Sequence, residues 1–205
     1  MMEPKTQTGY LVLADISGFT SFVAQTEIDH AHLALSFLLE TIMEKLSSLL
    51  TIFQLEGDAV FAYVEESQLQ EGKSLLGLID QTYLAFREKA LALYAGATCP
   101  CRACKALPTL DLKFMVHHGD FIIRQVAGIT HLLGTDVNLL HRLSKNHVSE
   151  STGWRGYALF TNQGLERMQT DKASFVQQTE FYEHLGEIET YVRDMHVRYE
   201  EMKAS

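Results

Sequence analysis

Residues 11–22 read LVLADISGFTSF, and this stretch decides the fold of the chain. The apolar run that opens it predicts a buried strand over residues 10–14, and Asp15 follows that strand directly. A short turn containing Gly18 then leads into a helical apolar pattern over residues 19–48. A carboxylate at a strand end, next to a glycine turn that opens a helix, is typical of sites that bind a metal and a phosphate.

A second aspartate lies in a predicted hairpin further along the chain. Strands predicted over residues 50–55 and 58–64 are joined at Gly57 and Asp58. On adjacent strand ends, Asp58 and Asp15 would share hard cations such as Mg2+ or Mn2+. A simple helix N-cap role is the alternative for Asp15. The pair predicts metal-assisted chemistry on a nucleoside triphosphate.

The remaining elements predict the fold class. Helices are expected over residues 68–94, 135–148 and 162–169, a strand over 157–160, a loop over 96–109, and hairpins over 110–117 with 121–127 and over 177–184 with 189–194. The hairpin within residues 110–127 is expected to turn at His118-Gly119-Asp120. This order predicts an α+β fold with a ferredoxin-like βαββαβ core and extra C-terminal elements. We expect one domain over residues 1–205, with a core of about residues 9–195.

Composition excludes some classes of partner. The chain has 205 residues, of which 46% are hydrophobic, and a formal net charge of −9 without clustered basic residues. This charge argues against a nucleic-acid partner. No apolar run reaches the roughly 20 residues that span a bilayer, and the polar residues 1–8 lack a signal core. We therefore expect a cytoplasmic protein without a membrane partner.

Three cysteines fall within six positions, at Cys99, Cys101 and Cys104. An odd number at this spacing does not predict a secreted disulfide framework. The C-x-C-x-x-C pattern is compact enough to clamp Zn2+ through thiolates, with a histidine from elsewhere needed as the fourth ligand. A redox-active thiol pair and a merely tight loop are the alternatives.

Four segments resemble the motifs of class III adenylate and guanylate cyclase catalytic domains. In family order they are LVLADISGFTSF at 11–22, EGDAVFAYV at 56–64, VHHG at 116–119 and LGTDVNLLHRL at 133–143. Within that family the chain also resembles a divergent bacterial group of cyclase-like proteins of unknown function. The resemblance implies the nucleotide cyclase fold. It also implies a homodimer that converts a purine nucleoside triphosphate, with ATP expected, to a 3′,5′-cyclic monophosphate and pyrophosphate.

The resemblance assigns the metal and phosphate ligands. Asp15 and Asp58, assisted by the Ile16 carbonyl, would hold two Mg2+ or Mn2+ ions per site. The backbone N–H groups of the following turn would bind the β- and γ-phosphates; these belong to Gly18, Phe19 and Thr20. A plain strand-to-helix turn is the alternative for these three residues.

The resemblance also implies that groups from the second subunit complete each site. Asn138 and Arg142 lie four residues apart, so they share one face of a helix. Asn138 would orient the ribose, and Arg142 would stabilise charge on the reacting phosphate. A polar helix face without a ligand is the alternative.

Three positions depart from the pattern. Gln54 and His131 stand where the family commonly places a base-reading lysine and aspartate, and Leu185 stands where a lysine commonly meets the triphosphate. Gln54 and His131 both donate and accept hydrogen bonds, so they can still read a purine. Two functions are therefore open: an active cyclase in signal transduction, or a catalytically inactive module that binds nucleotide and metal or dimerises as a regulator.

Overall fold

The computed structural model describes residues 5–69 and 71–204, so the first residues of the polar N-terminus and residue 70 lie outside it. The strands are β1 (Thr6–Ser17), β2 (Thr51–Glu56), β3 (Ala59–Glu65), β4 (Asp111–Val126), β5 (Ile129–Leu133), β6 (Tyr157–Thr161), β7 (Val176–Tyr182) and β8 (Gly186–Asp194). The α-helices are α1 (Phe19–Gln25), α2 (Ile28–Leu46), α3 (Lys73–Gly96), α4 (Arg102–Ala106), α5 (Thr135–Leu143), α6 (Val148–Thr152), α7 (Asn162–Arg167) and α8 (Met195–Ala204).

The strands form one mixed sheet in the order β2-β3-β1-β4-β6-β8-β7, with β5 paired to β4. The pair of β4 with β6 is parallel, whereas β1 is antiparallel to both of its neighbours. This architecture confirms the predicted α+β class. Within the described part of the chain, no helix combines the length and apolarity needed to cross a bilayer.

The sheet is covered on both faces, and β1 shows how the sequence achieves this. Alternate residues of β1, including Val12 and Ala14, pack into the core cluster that contains α2 and α3. Leu11 and Leu13 pack into a second cluster with α5. Successive strand residues point to opposite faces, so Asp15 continues the series of Leu11 and Leu13. The metal-binding candidate therefore lies on the α5 face of the sheet.

The predicted hairpin turn at His118-Gly119-Asp120 is wrong. β4 runs through these residues, because it pairs with β1 along its length, from Thr6 opposite Ile122 to Ser17 opposite Asp111. Gly119 serves close packing instead: a Cβ there would lie 2.3 Å from a carboxylate oxygen of Asp136. The chain actually turns at Ala127 and Gly128, whose φ angles are 53° and 81°. Two positive φ values are typical of a tight hairpin turn.

Other boundaries also differ from expectation. The helix predicted over residues 19–48 is two helices, separated at Thr26, which has extended backbone angles. The loop over residues 96–109 contains helix α4. The helix predicted over residues 68–94 begins at residue 73, and the one predicted over 135–148 ends at residue 143.

Helix α8 has no counterpart in the sequence prediction. Arg198 of α8 and Arg193 near the end of β8, both half-buried, form ion pairs with Asp80 on α3. His196 lies 2.5 Å from the buried carboxylate of Asp111 at the start of β4. These partners are more than eighty residues away along the chain. The helix is therefore held by tertiary ion pairs together with the burial of Met195 and Tyr199 in the core.

Candidate functional site

The structure brings Asp15 and Asp58 together. Asp15 lies opposite Ala59 in the β1–β3 pair, and the Ile16 N–H donates to the Asp58 carbonyl at 3.2 Å. Gly57, with a φ of 67°, makes the turn that directs Asp58 toward β1. Burial, followed by the negative charge of Asp15, raises the pKa of Asp58 to about 6. Two carboxylates thus lie close together in a partly desolvated position, and ionisation of one disfavours ionisation of the other.

A lysine that sequence reasoning did not select lies beside this pair. Lys113 on β4 is directly opposite Asp15, and its Nζ is 3.3 Å from Asp15 Oδ2. The same ammonium donates to the Ser144 carbonyl, at the end of α5, at 3.2 Å. The side chains of Lys113 and Asp15 are only 19% and 17% exposed. Lys113 therefore offsets part of the negative charge of the aspartate pair. Its bond to Ser144 also links the pair to the end of α5.

The donor set of the aspartate pair fits hard divalent cations. Asp15 and Asp58 supply carboxylate oxygens, and after burial the negative charge of Asp15 is the next cause of the raised pKa of Asp58. Oxygen donors with excess negative charge are the ligands that Mg2+ and Mn2+ prefer.

The side chain of Arg155 packs against the glycine turn that follows β1. Gly18 has a φ of 89° and precedes α1, whose first turn is closed by the bond from the Phe22 N–H to the Gly18 carbonyl at 2.9 Å. A Cβ at Gly18 would lie 2.3 Å from Nη2 of Arg155. The Ser17 hydroxyl also donates to the Arg155 carbonyl at 2.7 Å. The turn therefore combines the backbone N–H groups that begin a helix with an exposed guanidinium.

Sequence reasoning missed Arg155, which is 138 residues from Ser17. It stands in a short segment before β6 without a recognisable local motif. Its only sequence signal is an isolated basic residue next to Gly156 and an apolar strand.

Helix α5 presents Asn138 and Arg142 on its exposed side. Both line an open cleft with the tail hairpin, and the other residues of that cleft are His141, Ser144, Lys145, Glu183, His184 and Leu185. Leu185 therefore lies near the predicted pair, although it also packs against the core cluster of the α5 face. Neither Asp15 nor Asp58 lines this cleft.

Buried polar contacts position α5. Asp136 in its first turn accepts the Asp120 N–H at 2.7 Å and lies 3.2 Å from Nε2 of the fully buried His117. The His117 contact is the main reason that the pKa of Asp136 is lowered. Near the other end, His141 lies 3.3 Å from Glu56 and meets the Phe61 ring edge-on. The contacts of His117 and Gly119 with Asp136 explain the His-x-Gly pattern of β4.

The two base-reading candidates are exposed on separate strands. Gln54 lies on β2 and donates its amide N–H to the Glu56 carboxylate. His131 lies on β5, opposite Arg124. Strand β2 pairs with β3, whereas β5 pairs with β4, so the sheet does not make the two residues direct neighbours.

The cysteines of the 96–109 segment also come together, and His30 from α2 joins them. The spacing of the three cysteines predicted a cluster but did not identify this histidine as the fourth member.

Residues 35–152 match the model of a family described as "Protein of unknown function (DUF2652)", and the chain belongs to this family. The uncharacterized protein Rv2561/Rv2562 of Mycobacterium tuberculosis (strain ATCC 25618 / H37Rv) is 29% identical over 117 residues. That match covers 56% of this chain and 52% of the mycobacterial protein. The chain thus spans about half the length of the curated relative it matches.

Solved structures share the fold over nearly the whole chain. The guanylyl cyclase Cya2 superposes with a TM-score of 0.74 at 15% identity, covering 93% of each chain. The adenylyl cyclase CyaB from P. aeruginosa gives 0.66 at 17% identity, covering 93% of this chain and 95% of CyaB. The catalytic core of a rhodopsin-guanylyl cyclase with converted specificity, in complex with ATPαS, gives 0.63 at 16% identity, covering 93% and 97%. The resemblance to class III cyclase domains is confirmed as a fold.

Proposed function

We propose that this member of the DUF2652 family is a class III cyclase-like enzyme acting on a purine nucleoside triphosphate, with ATP as the expected substrate. Its products would be the 3′,5′-cyclic monophosphate and pyrophosphate, formed at a homodimer interface. The observation that carries the proposal is the pairing of Asp15, on the strand that leads into the Gly18 turn, with Asp58 at the neighbouring β2–β3 turn. The Arg155 guanidinium against that turn adds a cation suited to phosphate.

In this proposal the first half of the site binds metal and phosphate. Asp15, Asp58 and the Ile16 carbonyl would hold two divalent ions, Mg2+ or Mn2+. Such ions, when bound, activate a hydroxyl nucleophile and neutralise triphosphate charge. The N–H groups of the turn at Gly18, with Phe19 and Thr20, would bind the terminal phosphates.

Arg155, whose guanidinium lies against Gly18, would bind the same phosphates. Its side chain contacts Gly18 only because that residue has no Cβ. A similar structure contains the nucleotide analogue ATPαS, which supports a nucleoside triphosphate as the ligand class.

The second half of the site would come from the partner subunit. Asn138 and Arg142 are exposed and line a cleft that does not include the aspartates. Asn138 would orient the ribose, and Arg142 would stabilise charge that develops on the reacting phosphate. Gln54 and His131 would bind the edge of the base. A dimer would therefore contain two such sites, and an isolated chain would contain only separated halves.

A catalytically inactive binding module is the second candidate, and two observations favour it. Lys113 already pairs with Asp15, so a resident cation competes with an incoming metal. Leu185, at the position of the expected triphosphate lysine, packs against the core of the α5 face. Removing one cation that stabilises a transition state slows a reaction by roughly 100-fold. Such a module would keep nucleotide binding and dimerisation without turnover.

Turnover by the purified chain distinguishes the two candidates. We would incubate it with Mn2+ and either ATP or GTP, identify products by mass spectrometry, and measure nucleotide affinity on the same preparation. Cyclic product that disappears in Asp15→Asn supports the enzyme. Metal-dependent binding without product supports the inactive module. Absence of both binding and product would contradict both candidates.

A further inference from the structure

A cluster of four potential metal ligands lies outside the proposed cyclase site. One ligand atom from each residue lies within 4.8 Å of the ligand atoms of all the others; the residues are His30, Cys99, Cys101 and Cys104. We call this group the His–Cys cluster. Among the described residues all three cysteines are free thiols, and all are half-buried. The spacing in the sequence identified only the three cysteines, and the fold brings His30 to them as a fourth potential ligand.

The spacing within the His–Cys cluster matches a tetrahedral zinc centre. His30 Nδ1 is 3.2 Å from Cys101 Sγ and 3.9 Å from Cys104 Sγ. Zinc with Zn–S of about 2.3 Å and Zn–N of about 2.0 Å would place a nitrogen and a sulfur ligand roughly 3.5 Å apart. The two observed distances bracket this value. No pair of ligand atoms in the cluster is separated by more than 4.8 Å.

The surrounding backbone holds the cysteines in place. Cys101 caps α4, and its sulfur accepts the Cys104 N–H at 3.4 Å. This bond fixes the position of the Cys101 sulfur, as hydrogen bonds to metal-bound thiolates do.

A carboxylate next to α2 fastens the same segment to the helix that carries His30. Glu27 accepts the Ala103 N–H at 3.0 Å and lies 3.4 Å from Nε of Arg102. Glu27 immediately precedes α2, and His30 lies in its first turn. Histidine and cysteines are thus presented by two segments that are already joined by other contacts.

We propose that the His–Cys cluster is a structural Zn2+ site that joins the start of α2 to the segment containing α4. Three thiolates and one imidazole are a typical closed zinc set, whereas a disulfide would use only two of the cysteines and leave His30 without a role. The closed set leaves no open position for substrate, so the ion would stabilise the fold. The site is independent of the proposed cyclase activity.

Metal analysis tests the proposal directly. The full chain, purified under reducing conditions with a tag free of histidine and cysteine, should contain one zinc per chain by elemental mass spectrometry. Replacing zinc with Co2+ should give the visible absorption bands of tetrahedral thiolate coordination. Chelation should lower the melting temperature without altering the chain mass.

Two neighbouring histidines provide a matched comparison. His30→Ala should weaken zinc affinity at least 100-fold in a chelator competition, since even changes outside the ligand shell cost 10–100-fold. His32→Ala removes another exposed histidine of α2 that is not part of the cluster, and should retain full zinc affinity. Cys104→Ser, nearly equal in size to the native residue, should lose zinc while circular dichroism still reports a folded chain.

Three outcomes would overturn the zinc site. The first is a reduced, folded protein that neither contains zinc nor gives the Co2+ bands. The second is equal zinc affinity in His30→Ala and His32→Ala. The third is a protein isolated two mass units lighter with two blocked thiols, which would assign the cysteines to redox chemistry.

Discussion

The two halves of the proposed nucleotide site differ in how much of the cyclase pattern they keep. The metal half, at the end of β1 and the adjacent β2–β3 turn, holds both aspartates and the glycine turn, and tertiary structure adds Arg155 to it. The half built on α5 and the tail hairpin keeps Asn138 and Arg142, but has Leu185 where a lysine is expected. The metal half is fixed by sheet pairing, whereas the other half consists largely of exposed side chains. Exposed positions change with little effect on folding, so specificity and rate can diverge while the scaffold persists.

The largest expected effect tests whether the two halves meet across a dimer. If the protein is active, Asp15→Ala and Asn138→Ala should each lower turnover by at least ~100-fold, because each removes a group that acts in the transition state. An equimolar mixture should recover roughly a quarter of wild-type turnover, since half of the dimers are mixed and each has one intact site. Turnover is measured after subunit exchange. Mixed dimers, verified by native mass spectrometry, that show no recovery would contradict the shared site.

A smaller loss should follow from Arg155→Ala. Removing the guanidinium from the Gly18 turn should weaken nucleoside triphosphate affinity by ~30-fold, while affinity for the nucleoside without phosphates stays constant. Calorimetric titration with both ligands separates these effects. Arg155→Lys is the matched control. It should retain part of the affinity, because it keeps the positive charge but not the paired N–H donors of the guanidinium. Equal weakening for both ligands would show that Arg155 only supports the fold.

The pKa of Asp58 predicts how the metal half responds to pH. Because that pKa is raised to about 6, metal must displace a proton at lower pH. Mn2+ affinity should fall by about tenfold per pH unit below 6 and level off above it. The free energy of unfolding should decrease by roughly 1 kcal/mol as pH rises from about 4 to 6, because the folded state holds the proton more tightly.

Asp58→Asn should remove both pH dependences, which calorimetry and urea unfolding between pH 4 and 8 would measure. It should also weaken Mn2+ binding at pH 7 without unfolding the chain, since it relieves repulsion from Asp15. A wild-type Mn2+ affinity that does not vary across this range would contradict the two-aspartate site.

The smallest expected effect concerns the divergent half. Leu185→Lys should raise turnover by up to ~10-fold, since it places a cation in the cleft that contains Arg142. Because Leu185 is partly buried, a modest fall in melting temperature should accompany the gain. Turnover and melting are measured on one preparation, with Leu185→Met as the control for packing. A stable Leu185→Lys variant with unchanged turnover and affinity would mean that this cleft does not meet the triphosphate.

Local sequence patterns predicted much of the fold and the proximity of Asp15 and Asp58. Strand β1, the β2–β3 hairpin and the placement of Asp58 follow from alternating apolar residues and a glycine turn. The same reasoning failed at Gly119, because a glycine can mark either a turn or a close approach of another chain segment. The pairing of β4 with β1 through Gly119 and the contact with Asp136 show that the second applies.

The sequence by itself determined where most of the strands and longer helices form and which carboxylates end up near a glycine turn, because these features depend on residues a few positions apart. Tertiary structure decided that Arg155 meets Gly18, that Lys113 faces Asp15 and that His30 joins the cysteines. These partners are separated by about 70 to 140 residues, and no local periodicity encodes them. They meet because sheet pairing and helix packing bring distant segments of the chain within contact distance of one another.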